Sequence, residues 1–205
     1  RRVLFRSSAQ KPQILLDSFT TTYSENYANI HRGNYSLSEK STFCFEQARE
    51  KISQFIGAKP HEIVFVRNST EAMNLIASAW ARPRWISWQK ILTTPNEHNS
   101  NYLPWTQNIV SSDLFEFITF KQDYQINFSD FEKHLDQSKH GQKIGLISLA
   151  PISNVLGYCL DMQTVMLLAK KYCVPLMVDA SQWILHEKLD LSKMSIEDRK
   201  STRLN

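Results

Sequence analysis

The sequence predicts an α/β fold, a mostly parallel sheet flanked by helices and incomplete at its carboxyl end. Two observations predict it. Short apolar runs of strand length alternate with helix-like segments along the chain, the pattern of βαβ units. The composition, 42% hydrophobic and 21% charged over 205 residues, is that of a globular domain long enough to bury a core.

The elements follow in order. Ser38 is placed to cap a helix running through STFCFEQAREKISQFI to a stop at Gly57. Glu62–Val66 (EIVFV) reads as a short apolar strand. Thr70–Trp80 reads as a helix whose stripe is Met73, Leu75, Ile76 and Ala77. Lys90–Thr94 is the next strand, and a helix over 99–108 is interrupted by Pro104. Leu114–Phe120 is a strand, and Ser129 opens a helix. Lys143–Leu149 is a strand, Met162–Tyr172 a helix and Val174–Asp179 a strand. No apolar run approaches the ~20 residues of a membrane helix, so no membrane partner is expected.

The formal charge of +4 is carried by the ends. Arg1, Arg2, Arg6, Arg199, Lys200 and Arg203 lie there, and without them the balance is −2. A nucleic-acid footprint is a basic patch on a fold, so no nucleic-acid partner is expected. Residues 1–8 (RRVLFRSS) and 199–205 resemble translated adaptor text and are read as non-native tails, leaving 9–198 as a partial domain. The three cysteines, Cys44, Cys159 and Cys173, lack metal spacing and suit a reducing cytoplasm; each is expected in core or helix packing.

Ligands of parallel sheets sit at the carboxyl ends of the strands. After EIVFV comes Arg67-Asn68-Ser69-Thr70 and a helix start, where Ser69 and Thr70 either hold an anion with free N–H groups or simply cap the helix. After KILTT, His98 is either a ring-stacking acid–base group or a loop histidine. After KIGLISL, Asn154 is either a ligand amide or a turn residue before Gly157. After VPLMV, Asp179 is a carboxylate that needs a metal, a cationic substrate or a protonated cofactor nitrogen, or else caps the next segment. A planar, phosphorylated, cationic heteroaromatic uses all four, and pyridoxal 5′-phosphate (PLP) has that description.

At this point the chain resembles the class V aminotransferase group of fold-type I PLP enzymes, and within it the SUF-type cysteine desulfurases. The resemblance rests on QKPQ (10–13), NYANIHRG (26–33), SLS (36–38), EIVFVRNSTEAMNLIA (62–77), NEHNSNYLPW (96–105), SNVLG (153–157) and VDASQ (178–182). It implies that Ser69 and Thr70 hold the cofactor phosphate. His98 stacks on the ring and assists proton transfer. Asp179 pairs with the ring nitrogen, Gln182 bonds the ring hydroxyl, and Asn154 lies near that hydroxyl and the substrate carboxylate. It further implies an L-cysteine or related amino-acid substrate, a cytoplasmic homodimer in which NYANIHRG serves the partner's site, and a sulfur-acceptor protein for iron–sulfur cluster assembly. Selenocysteine lyase, another class V lyase or transaminase, and a non-catalytic relative are the alternatives.

The family's cofactor-attaching lysine stands in a Ser-Gly-His-Lys motif that this sequence lacks. That lysine and the persulfide-forming cysteine are expected in a missing carboxyl half, so the chain is read as an inactive fragment. Asn68 stands where the family usually has glycine, Asn99 where a second histidine is common, Tyr35 where histidine is usual, and Pro151 where a histidine or small polar residue is common. These departures bear on the substrate more than on the cofactor.

Overall fold

The computed structural model describes residues 10–85, 89–109, 113–123, 125–137, 143–153 and 156–192. The two expected tails and Asn154 lie outside the described residues. The chain forms two compact units, one ending at Ile63 and the other beginning at Val64.

The first unit holds α1 (Gln13–Glu25) and α2 (Ser36–Ile56). α1 has no counterpart in the sequence expectations. Helix α2 ends as expected, at a left-handed Gly57 (φ 68°). It begins two residues before Ser38, behind Tyr35 as N-cap residue. Ser38 is buried within the first turn and donates to the Asn29 carbonyl at 2.7 Å. Tyr35 donates its hydroxyl to Asn29 Oδ1 at 2.6 Å. The loop between the helices is thus tied to α2, and it carries His31 in a left-handed conformation (φ 70°).

The second unit is built on a four-stranded sheet, all parallel: β1 (Gln89–Thr93), β2 (Phe115–Phe117), β3 (Lys143–Leu149) and β4 (Leu176–Val178), in the order β2-β1-β3-β4. The register pairs Ile91 with Phe115 on one side and Leu146 on the other, and Leu149 with Val178. The central strands are apolar because both faces are covered. On one face Ile91, Leu146 and Met177 pack against Met73, Ala77, Trp105 and Ile109. Leu92 and Ile147, their chain neighbours, project to the other face and are fully buried. Helix α5 (Phe128–Gln137) packs on β3, with Phe131 and Leu135 fully buried.

The helix after Val66 begins as α3 (Ser69–Leu75) and continues as a π-helix, Ile76–Ala81. Met73, Ala77 and Ala81, each four residues apart, are buried, while Leu75 is 44% exposed, against expectation. Pro104 does not break its segment but divides it. A 3₁₀ turn, Asn99–Asn101, precedes α4 (Leu103–Asn108), where proline sits in the first turn and loses no hydrogen bond. Helix α6 (Met162–Lys171) is capped by Asp161, which accepts from the Gln163 and Thr164 N–H groups.

Two further expectations are corrected. Glu62–Val66 is not a strand: a 3₁₀ turn, Pro60–Glu62, leads into extended chain that pairs with no strand of the sheet. Val64 is 66% exposed, so its apolar pattern has no neighbour to bury it here. The cysteines are not core residues either; all three are exposed free thiols. Cys173 takes a left-handed turn after α6 (φ 53°), which places it outside the helix packing. No helix among the described residues is long and apolar enough to cross a membrane.

Candidate functional site

Parallel pairing brings the carboxyl ends of β1, β3 and β4 to one edge. In the order β2-β1-β3-β4 the chain leaves β1 for β2 on one side and returns to β3 on the other. The junction of β1 and β3 is therefore the topological switch point, where open α/β sheets form their ligand crevice. Thr94, Ala150 and Asp179 follow the three strands at this edge.

Asp179 is 8% exposed. Its N–H donates to the Leu149 carbonyl at 2.9 Å, extending the β3–β4 ladder by one bond. Its Oδ1 accepts the Ser181 N–H at 3.0 Å, so it also stabilises the turn that follows. The bond from Ser181 is the cap that the sequence offered as one alternative for Asp179. No cation pairs with Asp179 among the described residues. A buried carboxylate with a single N–H donor and no counter-ion is poised for a cationic ligand.

Glu97 is the member that sequence reasoning missed. Its Oε1 accepts from Thr94 Oγ1 at 2.8 Å and from the Ala150 N–H at 3.2 Å, and its Oε2 accepts from Asn101 Nδ2 at 2.8 Å. Burial pushes its carboxyl above the usual range, and the negative charge of Asp179 pushes the same way. The bonds from Asn101, Thr94 and Ala150 oppose this without prevailing. Burial likewise raises the Tyr158 phenol, which is hydrogen-bonded to Thr94 and feels the Glu97 charge. Behind Glu97, Ser148 Oγ donates to Asn101 Oδ1 at 2.6 Å, and Trp105 Nε1 reaches the same oxygen at 3.5 Å. The available signal was an acid directly before a candidate histidine, two residues past the strand-ending Pro95.

His98 follows Glu97 and acts as N-cap of the 3₁₀ turn. Its Nδ1 accepts the Ser100 N–H at 3.1 Å and lies 2.8 Å from Ser100 Oγ. Because Nδ1 is the acceptor, the neutral ring carries its proton on Nε2. The ring is held by one edge on an otherwise exposed residue.

The turn at the start of α3 is also defined. Asn68, not Ser69 or Thr70, is the N-cap: its Oδ1 accepts the Glu71 N–H at 2.9 Å. The hydroxyls of Ser69 and Thr70 have no hydrogen-bond partner among the described residues. Asn68 needs no glycine-like freedom, since its φ of −164° is extended backbone. Glu71 is occupied by the backbone and guanidinium of Arg67, which lower its pKa, so its charge is already paired. Helix α3 packs against the 3₁₀ turn of residues 99–101 and against α4.

The structure thus gathers Glu97, His98 and Asp179 at one sheet edge, with α3 packed on the turn that His98 opens. Gln182 precedes a short 3₁₀ turn, Trp183–Leu185, with its side chain unengaged among the described residues. A cavity of about 240 Å³ lined by Trp80, Trp85, Gly145 and Pro175 lies at the opposite, amino-terminal end of the strands.

A family model described as aminotransferase class-V matches residues 4–197. A probable cysteine desulfurase of Synechocystis is 32% identical over 187 residues, covering 90% of this chain and 43% of that protein. One of Vibrio cholerae is 31% identical, covering 93% of this chain and 46% of its own length. Among solved structures, an apo cysteine desulfurase from Thermococcus onnurineus superposes with a TM-score of 0.82 at 30% identity, over 92% of this chain and 46% of that one. The chain spans less than half the length of these relatives.

Proposed function

The chain belongs to the aminotransferase class-V family, and from that membership we propose that it is the cofactor-holding portion of a PLP-dependent cysteine desulfurase. The whole enzyme converts L-cysteine to L-alanine and passes the sulfur on as an enzyme-bound persulfide for iron–sulfur cluster assembly. The observation that carries the reading is Asp179, a buried carboxylate without a cationic partner among the described residues, at the switch-point edge.

The residues fit the cofactor's chemistry. Asp179 would pair with the protonated ring nitrogen and supply its missing counter-charge. The unengaged hydroxyls of Ser69 and Thr70 would hold the phosphate, beside Arg67. His98 would lie on the ring face and move a proton at Nε2, the nitrogen left free by Ser100. Gln182 would donate to the ring hydroxyl, and Asn154 would hold the substrate carboxylate. When bound, PLP supplies an electron-withdrawing ring over which negative charge at the substrate α-carbon is spread.

The covalent attachment of the cofactor and the sulfur-accepting thiol fall to a lysine and a cysteine outside these residues. The loop 26–33, held rigid by Ser38 and Tyr35, serves a partner subunit in a homodimer. Three free, exposed thiols fit a reducing cytoplasm.

The test is the full-length protein incubated with PLP and then with L-cysteine and an excess of a thiol reductant, which releases the persulfide sulfur as sulfide. Alanine and sulfide form in equal amounts, and a visible cofactor band is present. Turnover of selenocysteine alone would reassign it to a selenocysteine lyase. A protein that retains no PLP would be a non-catalytic relative.

A further inference from the structure

Glu97 lies outside every role named above, yet it makes three hydrogen bonds at the site. Its three bonds join three separate pieces of chain: the end of β1 through Thr94, the end of β3 through Ala150, and the turn before α4 through Asn101. The Ala150 bond crosses the β1–β3 junction, the crevice itself. The titratable groups facing Glu97 are Asp179 from the β4 end and the Tyr158 phenol from the segment after β3, with His98 adjacent in the chain.

We propose that Glu97 is a positioning residue: it clamps the two walls of the crevice from beneath, sets His98 by fixing the chain on either side of it, and couples by charge to Asp179. The clamp deepens the PLP reading and rests on it for its consequence. Two neighbouring acids with no cation among the described residues repel when both are ionised. A cation placed on Asp179 relieves that repulsion, so Glu97 gives up its proton more readily when the Asp179 charge is matched. Occupancy of the Asp179 end of the site and ionisation of Glu97 are then linked in both directions.

The sign for stability follows from the raised carboxyl. The folded cofactor-free protein holds the Glu97 proton more tightly than the unfolded chain does. Its contribution is full below the unfolded value near 4.5 and is lost as pH rises through the raised folded value.

The experiment uses full-length protein, with and without PLP. Glu97→Gln removes the charge and turns an amide donor toward the Asn101 donor. In the cofactor-free protein it flattens the decline of the melting temperature as pH rises above 4.5. It also raises the dissociation constant for PLP about tenfold, the equivalent of one pKa unit of interaction. Asp179→Asn leaves all three Glu97 bonds in place and shifts the same wild-type decline to lower pH. A Glu97→Gln profile that overlays the wild type, or an Asp179→Asn profile that does not move, overturns the proposal. Should wild-type protein bind no PLP, the function reading fails, and the cofactor-free profiles still decide the role of Glu97.

Discussion

Ser148 Oγ donates to Asn101 Oδ1 at 2.6 Å, joining a buried β3 side chain to the turn after β1. Asn101 is 1% exposed, and its other amide group donates to Glu97. One side chain therefore serves the indole of Trp105, the hydroxyl of Ser148 and the carboxylate of Glu97. Asn101→Ala leaves these groups buried and unmatched, and a loss of about 1–3 kcal/mol per group is the relevant scale. Chemical denaturation of the full-length protein measures it, and a change under 0.5 kcal/mol, the ordinary surface-substitution range of about ±0.5 kcal/mol, would contradict the network.

The ring of His98 has its Nδ1 held by Ser100. In nitrogen-detected NMR the neutral ring shows the Nε2–H tautomer. Ser100→Ala removes the 2.8 Å hydroxyl contact and keeps the backbone donor, so the tautomer mixture broadens while the fold is retained. A dominant Nδ1–H form in the wild type would refute the assignment.

Asp179→Ala removes the buried carboxyl at the β4 end, which has no cationic partner among the described residues. On the proposed function, PLP binding by the full-length protein weakens and desulfurase activity is lost. Activity persisting within about tenfold, about 1.4 kcal/mol of barrier, would exclude Asp179 from the role given to it. The melting temperature of the cofactor-free variant separates loss of folding, because relief of an unpaired buried carboxylate opposes the loss of its bond from the Ser181 N–H.

Two glycines separate sterics from backbone strain. A Cβ at Gly33 would lie 2.2 Å from Ser38 Oγ and 2.4 Å from Ser38 Cβ, so Gly33→Ala displaces Ser38 and costs its bond to Asn29. A Cβ at Gly157 meets nothing within 4 Å, but φ there is +69°. Gly157→Ala costs only the left-handed backbone, about 1–2 kcal/mol. Thermal shifts of the two variants, with Gly33→Ala the more damaging, test this order.

Asp161 caps α6 and is held below the usual carboxylate range chiefly by its bond from Thr164 Oγ1, then by N–H groups. Asp161→Ala costs about 1 kcal/mol at neutral pH. A lowered folded pKa makes the contribution present above the unfolded value of 3.8 and lost as pH falls through the folded value. The difference between wild type and variant therefore closes on acidification, the opposite direction to Glu97.

Much of this was legible in the sequence because periodicity reports burial. β3 occupies the expected residues, α6 ends one residue early, and β1 is displaced by one. Asp179 was legible as an acid behind an apolar strand. What was not legible depended on partners distant in sequence. EIVFV has strand composition but finds no neighbouring strand in the sheet. Glu97 reads as an ordinary loop acid until Ala150, distant in sequence, supplies its donor. Asn68 competes with Ser69 and Thr70 for the cap, and only backbone geometry decides among three capping residues. The cysteines have apolar chain neighbours, yet exposure is set by which face of each element turns outward.

An all-parallel arrangement also dictates the order of assembly. β1 has no hairpin partner; Glu97 and the Ala150 amide that fastens it are 53 residues apart. Closing such long loops precedes any reward from pairing, which makes the process slow. During synthesis, β1 and its acid must wait for β3 to leave the ribosome. The edge that carries Glu97 and Asp179 is consequently among the last parts to take shape, and a nascent chain stalled before residue 150 would carry every β1 side chain of that edge without holding it.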